Sequence, residues 1–148
     1  MRTVLFVCVE NACRSLMAEA MFNARPPPDW TAVSAGTRPA SGPNPRTAPM
    51  LGEIGLKLPG HTPQLLTREM MDQAGLLVTM GCLDDASCPA HLKELELRDW
   101  GLSDPAKLDD GGFRRVRDEL QRRVEGLRRE LAGGGRQRTS TAPRPERT

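Results

Sequence analysis

The chain has 148 residues, a formal net charge of +2 and a hydrophobic fraction of 38%, values typical of one domain with its own core. The small net charge, the lack of tyrosine and the count of two tryptophans argue against nucleic-acid binding. No apolar run reaches the length of a membrane span, and the short apolar segment after Arg2 is typical of a strand rather than a signal peptide. We therefore expect a cytoplasmic protein with neither a membrane nor a nucleic-acid partner. Its four cysteines then indicate catalytic, redox or metal-binding roles rather than a disulfide framework.

Strand and helix patterns alternate in the first part of the chain. Thr3 to Val7 is predicted to be a buried strand, and Ser15 to about Arg25 a helix that three prolines end. Trp30 to Ser34 is predicted to be the second strand, and Ala35 to Thr37 to turn out of it. After a loop rich in Pro, Gly and Ser, Asn44 is predicted to cap a helix that runs to about Ile54.

The second part of the chain continues this alternation. Thr67 is predicted to cap a short helix through Ala74, and Leu76 to Met80 and Leu95 to Trp100 are predicted to be strands. Apolar residues from Phe113 onward recur at spacings of three and four, which indicates an amphipathic helix: Val116, Leu120, Val124, Leu127 and Leu131. We interpret its face rich in Arg, Glu and Asp as solvated rather than nucleic-acid-binding.

The alternation predicts an α/β fold: a three-layer sandwich in which a four-stranded parallel sheet carries helices on both faces. Residues 1–132 are predicted to form this single domain. Residues 133–148 carry no large apolar side chain and are predicted to be a disordered tail. Ligands of such sheets bind at the carboxyl ends of the strands, which places the candidate site after the first strand.

The segment from Cys8 to Ser15 joins the first predicted strand to the first helix. In such a unit, backbone N–H groups and the helix dipole favour a bound oxyanion, here held by the loop residues Val9, Glu10, Asn11, Ala12 and Cys13. Arg14 adds a planar cationic fork. The same positive field favours the thiolate form of Cys8, to which Ser15 can donate a hydrogen bond. The segment thus predicts covalent attack on a bound oxyanion; the alternative is a buried strand-end cysteine beside a surface arginine.

Cys8-x5-Arg14-Ser15, followed by Met17-Ala18-Glu19-Ala20, resembles the loop of low-molecular-weight protein tyrosine phosphatases and of the arsenate reductases that share their fold. The segments Ser34-Ala35-Gly36-Thr37 and Gly60-His61-Thr62-Pro63 resemble secondary signatures of the same superfamily. The resemblance implies that Cys8 is the nucleophile, that the loop amides and Arg14 hold the oxyanion, and that Ser15 supports the thiolate.

The resemblance also implies a general acid. Asp104, in Asp104-Pro105, matches an Asp-Pro that superfamily members place over the anion site, where an acid protonates the departing oxygen. The alternative is an Asp-Pro turn initiator.

Neighbouring residues are assigned supporting roles. Asn11 is expected to adopt a left-handed backbone conformation and brace the loop, with Ser34 in hydrogen-bonding reach. We expect Glu19 to pair locally near the helix start, His61 to make a structural hydrogen bond, and Cys13 to pack beneath the loop.

Glu10 is a departure from the family pattern, because relatives usually have glycine at this position. A carboxylate aimed into the loop would repel an oxyanion, so we expect Glu10 to face solvent. If the position required a positive φ, glutamate would carry a strain that glycine avoids.

Cys82 and Cys88 follow the third predicted strand, in a loop that a parallel sheet places at the same edge as Cys8. Thioredoxin-coupled arsenate reductases carry such a pair here, with Cys-Pro at the second member, and Cys88-Pro89 matches. The resemblance implies a relay in which Cys8 attacks arsenate, Cys82 attacks Cys8, and Cys88 attacks Cys82 to leave a disulfide for thioredoxin. Two alternatives are a metal site of Cys82, Cys88 and His91, and incidental loop cysteines.

Three hypotheses follow. The first is a thioredoxin-coupled arsenate reductase that needs no cofactor and accepts phosphate or sulfate as mimics of arsenate. Some relatives bind a potassium ion near the positions of Asn11 and Ser34, and the sequence leaves this open. The second is a low-molecular-weight phosphatase acting through a Cys8 phosphocysteine, although the tyrosines that usually line its substrate pocket near Asp104 are absent. The third is a thiol redox sensor or metal-binding module using Cys82 and Cys88.

Overall fold

A computed structural model describes residues 1–80 and 97–133. These residues form a parallel sheet with the strand order β2-β1-β3-β4. The strands are β1 (Arg2–Cys8), β2 (Trp30–Gly36), β3 (Leu76–Thr79) and β4 (Leu97–Asp99). The helices are α1 (Arg14–Ala24), α2 (Thr47–Gly52), α3 (Arg68–Gln73) and α4 (Asp110–Ala132), with a 3₁₀ turn at Pro105–Lys107. The predicted four-stranded parallel sheet is confirmed.

β1 is one of the two inner strands and is buried on both faces from Val4 to Cys8. It pairs in parallel with β2 on one side and with β3 on the other. Because side chains alternate along a strand, Val4 and Phe6 pack in one core with residues of α1 and α4. Leu5 and Val7 pack in a second core with Met71 of α3. The continuous apolar run of β1 is therefore explained by helices on both faces.

Two predicted elements have different boundaries in the structure, and α2 also ends at Gly52 rather than near Ile54. α2 begins at Thr47 because Asn44 closes a turn instead of capping the helix: its Oδ1 accepts from the N–H of Arg46 at 2.9 Å and its carbonyl from the N–H of Thr47 at 2.9 Å. β2 runs past Ser34 to Gly36, whose N–H and carbonyl both bond the segment 64–66 at 2.8 Å.

Other sequence predictions agree with the described residues. Thr67 caps α3, since its side chain accepts from the N–H of Met70 at 3.1 Å. The apolar residues predicted to face the core from α4 are buried up to Leu127, and Leu131 packs against them. Leu95 of the predicted fourth strand and residues 134–148 of the predicted tail lie outside the described residues. No described helix is long and apolar enough to cross a membrane.

Glu53 fastens α4 to the end of α2. Its carboxylate oxygens lie 2.8 Å from Arg114 Nη2 and 2.6 Å from Arg117 Nη1. Arg117 also donates to the carbonyl of Met50 at 3.1 Å. Hydrogen bonds from Arg114 and Arg117 lower the pKa of Glu53 from 4.5 to about 2.

Glu53→Gln should remove a pH-dependent part of the stability. A carboxyl group whose folded pKa is depressed contributes stability above its unfolded pKa, and this contribution is lost as the pH falls through the folded value. Between pH 4.5 and about 2, the parent protein should therefore lose stability more steeply than Glu53→Gln. Urea unfolding at a series of pH values in this window measures both slopes, and equal slopes would contradict the role assigned to Glu53.

Candidate functional site

The loop of residues 9–13, between β1 and α1, is held through its outward-facing carbonyl groups. The carbonyls of Cys8, Val9 and Glu10 accept hydrogen bonds of 3.3, 2.8 and 3.0 Å from backbone N–H groups of the segment 37–40. In a planar trans peptide the N–H points opposite to the C=O. The N–H groups of Val9, Glu10 and Asn11 therefore point toward the interior of the loop.

The turn of residues 44–47 holds the far side of the same loop. The carbonyl of Ala12 accepts from the N–H of Asn44 at 3.1 Å and from the hydroxyl of Thr47 at 2.8 Å. By the same geometry the N–H of Cys13 points inward. The inward-pointing N–H groups of the loop form the predicted anion-binding nest. They keep this orientation because the segments 37–40 and 44–47 donate hydrogen bonds to the loop carbonyls.

α1 contributes a positive end to this nest. The helix begins at Arg14, and its N-cap residue Cys13 makes no side-chain capping hydrogen bond, so the first N–H groups and the helix dipole are directed at the loop. Arg14 is 7% exposed and donates from Nη1 to the carbonyls of Leu102 at 2.8 Å and Met80 at 3.3 Å. Its Nε is buried without a partner among the described residues. A bound oxyanion would supply the missing acceptor.

Cys8 lies buried at the end of β1 with its sulfur 2.9 Å from Ser15 Oγ. Asn11 Nδ2 donates to the same Oγ at 2.7 Å. Because the serine oxygen accepts from Asn11, its own proton is available to the sulfur. Asn11 has a φ of 52°, the left-handed conformation predicted for it and one that asparagine tolerates better than most residues.

The network continues from Asn11 to the surface. Asn11 Nδ2 also donates to Ser34 Oγ at 2.9 Å, and Ser34 Oγ lies 2.6 Å from Glu19 Oε1. The prediction that Glu19 pairs locally is wrong: its partners are Ser34 and, at 2.8 Å, Nε2 of His61. Gln64, which the sequence analysis missed, donates its backbone N–H to Asn11 Oδ1 and its side-chain amide to the Ser34 carbonyl, both at 2.9 Å.

Both ring nitrogens of His61 face oxygen acceptors, Glu19 Oε1 at 2.8 Å and the Thr62 carbonyl at 2.7 Å. Both nitrogens can donate only in the protonated ring. Burial lowers the pKa of His61, but the hydrogen bonds with Thr62 and Glu19 outweigh it and raise the pKa above 6.5. His61 therefore makes the predicted structural hydrogen bond, and the acceptors on both sides of its ring favour the protonated form.

Asp104 lies beside Arg14, as the sequence predicts for two members of one site. Its Oδ2 is 4.0 Å from Arg14 Nη2, and the side chain is 36% exposed. Its Oδ1 accepts from the N–H of Ala106 at 3.0 Å. The described residues thus bring a cysteine, an arginine and a carboxyl group to one edge of the sheet.

Two loop residues take the positions expected of them. Burial is the main cause that raises the pKa of Cys13 to about 11, while a hydrogen bond from Thr47 opposes it. Cys13 is therefore a thiol at neutral pH, packed beneath the loop and unsuited to act as a nucleophile. Glu10 is exposed and is not among the described residues with positive φ, so it carries no left-handed strain.

The predicted relay cysteines Cys82 and Cys88, and His91, lie outside the described residues. The chain reaches them from Met80, whose carbonyl lies 3.3 Å from Arg14 Nη1. Within residues 1–80 and 97–133, no group of three or more His, Cys, Asp or Glu side chains is placed to hold a metal ion.

Sequence comparison connects this geometry to known proteins. Residues 3–137 match the family described as low molecular weight phosphotyrosine protein phosphatase. An arsenate reductase of Staphylococcus epidermidis is 34% identical over 124 residues, which cover 84% of this chain and 93% of that protein.

Solved structures agree with the sequence match. An arsenate reductase in a phosphate-binding state superposes with a TM-score of 0.79 at 28% identity, covering 88% of this chain and 99% of that one. A thioredoxin-dependent arsenate reductase of Corynebacterium glutamicum superposes with a TM-score of 0.72 at 28% identity, covering 88% of this chain and 62% of that one.

Gly36→Ala should weaken anion binding. A Cβ at Gly36 would lie 2.5 Å from the Val9 carbonyl oxygen and 2.9 Å from the Asn11 nitrogen, so the loop would have to move. Loss of one or two hydrogen bonds to a charged ligand corresponds to about tenfold or more in affinity. Isothermal titration with inorganic phosphate measures the change. Gly52→Ala, where the added Cβ meets no atom within 4 Å, is the matched control, and equal affinities in the two variants would contradict the prediction.

Proposed function

The chain belongs to the low molecular weight phosphotyrosine protein phosphatase family, and we propose that it acts within that family as an arsenate reductase. The observation that carries the proposal is the 34% identity to an arsenate reductase over nearly the whole length of both proteins. The site geometry supports it, because a cysteine inside a nest of N–H groups suits attack on a tetrahedral oxyanion.

In the first step, the Cys8 sulfur attacks the arsenic atom of arsenate, held by the loop amides and Arg14. An arsenic–sulfur bond forms and an arsenic–oxygen bond breaks. Asp104 gives its proton to the departing oxygen, which leaves as water. Ser15, whose Oγ lies 2.9 Å from the Cys8 sulfur, stabilises the thiolate before attack by donating a hydrogen bond to it.

In the second step, the Cys82 thiolate attacks the Cys8 sulfur. A Cys8–Cys82 disulfide forms, and the electron pair of the arsenic–sulfur bond moves to arsenic, which leaves as arsenite. Cys88 then attacks Cys82, frees Cys8 as a thiolate and leaves a Cys82–Cys88 disulfide. The contact of Met80 with Arg14 supports this assignment, since Cys82 follows Met80 by two residues.

Thioredoxin is the proposed electron donor, and its dithiol would reduce the Cys82–Cys88 disulfide. Support comes from the resemblance to a reductase of Corynebacterium glutamicum that depends on thioredoxin. The reducing cytoplasm, where thiols are kept free between turnovers, is the proposed location.

A phosphatase is the second candidate, because the family description names that activity and the same loop would hold a phosphate group. Cys8 would then form a phosphocysteine that water hydrolyses. This route leaves Cys82 and Cys88 without a role, and the two candidates therefore differ in their dependence on these residues.

Cys82→Ser should abolish arsenate turnover while leaving attack at Cys8 possible. The assay follows NADPH oxidation with thioredoxin, thioredoxin reductase and arsenate. The expected loss is at least about a hundredfold, because the arsenic adduct of Cys8 then lacks the thiolate that attacks its sulfur and leaves the bonding electron pair on arsenic. Hydrolysis of p-nitrophenyl phosphate by the same variant, compared with the parent, is the internal control for an intact anion site.

Three outcomes would contradict the reductase proposal. The parent would show no arsenate-dependent NADPH oxidation, or Cys82→Ser would retain it, or the chain would bind zinc stoichiometrically and lose it in Cys88→Ser. The last result would support the metal-binding alternative.

A further inference from the structure

We propose that Arg46 is a positioning residue for the general acid, because it holds the peptide group that orients the Asp104 carboxylate. This inference rests on the proposed function, which gives Asp104 its role as the acid. Arg46 lies at the N-terminus of α2, 58 positions before Asp104 in the sequence, and its role follows from the contacts of its guanidinium.

The guanidinium reaches the two residues that follow the acid. Arg46 Nη2 donates to the carbonyls of Pro105 and Ala106, each at 3.2 Å. The Pro105 carbonyl and the Ala106 N–H belong to one planar peptide group. That N–H donates to Asp104 Oδ1 at 3.0 Å. Arg46 therefore binds one end of the peptide whose other end holds the carboxylate, and hydrogen bonds arranged in such a chain polarise and strengthen one another.

The position of Arg46 is itself fixed by α4. Its Nη1 lies 3.1 Å from Asp110 Oδ1, and its guanidinium carbon stacks 4.9 Å from the centre of the buried Phe113 ring. The planar guanidinium can pair with a carboxylate, stack on an aromatic ring and donate to two carbonyls at the same time. A lysine ammonium cannot make all of these contacts together.

The same turn holds the cysteine loop. Thr47, the next residue, donates its hydroxyl to the Ala12 carbonyl at 2.8 Å, and Asn44 donates its N–H to the same oxygen at 3.1 Å. One short turn thus connects the loop of the nucleophile to the loop of the acid. Arg14 makes the corresponding contact from the other side through the Leu102 carbonyl at 2.8 Å.

Proton transfer from the acid to the departing oxygen needs the two groups at hydrogen-bonding distance, and a small misplacement of a catalytic group costs up to about a hundredfold in rate. A purely structural Arg46 would lower activity whatever residue stands at 104. A positioning Arg46 matters only while Asp104 can donate a proton. These two roles are therefore separated by a double-mutant cycle.

The cycle uses Arg46→Met, Asp104→Asn and the double variant, each as the full chain. The first turnover is followed by thiol loss after reduced protein is mixed with arsenate. Arg46→Met should lower the rate at saturating arsenate by about ten- to a hundredfold, with the half-saturating arsenate concentration changed by less than about twofold, because arsenate binding uses the loop and Arg14. In the Asp104→Asn background, the same substitution should cost less than about twofold.

Two further variants test whether the positive charge alone, or the loss of any arginine, explains the effect. Arg46→Lys keeps the positive charge and should recover only part of the rate, and it serves as the test variant should Arg46→Met fail to fold. Arg68→Gln removes an exposed arginine of α3 that pairs with Asp72 at 3.9 Å and should match the parent.

Three results would overturn the proposal. Arg46→Met would lower the rate equally in both backgrounds, or it would change only the half-saturating arsenate concentration, or it would keep the rate of the parent. Should the parent not reduce arsenate, the proposed function fails, and the cycle is then read from p-nitrophenyl phosphate hydrolysis, which needs the same acid. A parent inactive on both substrates would overturn both proposals.

Discussion

The hydrogen bonds that keep the loop carbonyls facing outward are the constraint on which the site depends. A loop of five peptides normally turns its oxygens and its N–H groups in both directions. Here the segment 37–40 and the turn 44–47 donate hydrogen bonds to the carbonyl oxygens of residues 8–10 and 12. The N–H groups of the same peptides therefore remain available to an anion. The close approach requires glycine at position 36, where a Cβ would meet backbone atoms of the loop. The oxyanion site therefore depends on the cysteine loop and also on the two segments that bind the carbonyl groups of that loop.

A buried polar network gives the nucleophile its surroundings. Ser15, Asn11 and Ser34 are fully buried, and each lies within 2.9 Å of its neighbour in the series from Cys8 to Glu19. An unpaired buried polar group costs about 1–3 kcal/mol, so the loss of one member penalises the others as well as itself. The interaction with His61, whose pKa is raised, offsets the burial of the Glu19 carboxylate.

Local patterns were sufficient to predict the sheet, the amphipathic α4 and the cysteine loop, because apolar periodicity and the strand–loop–helix order are properties of neighbouring residues. The partners of Glu19 could not be predicted this way, because His61 lies 42 positions away and meets it only through the crossover between β2 and β3. The start of α2 was misplaced for a related reason: Asn44 has the side chain of a helix cap, but its oxygen closes a turn that the cysteine loop requires. Tertiary hydrogen bonds, which sequence spacing does not reveal, decided both cases.

The outward-turned carbonyls have a consequence for selectivity. Backbone donors recognise the charge and tetrahedral outline of their guest, and phosphate shares both with arsenate. Abundant cellular phosphate must therefore compete with arsenate for the oxyanion site. Tight binding alone would leave the enzyme occupied by phosphate. Discrimination then falls to events after entry, since arsenic(V) accepts two electrons from sulfur whereas phosphorus(V) does not. In such a protein, substrate selectivity comes from the redox chemistry of the bound oxyanion rather than from the shape of the binding site.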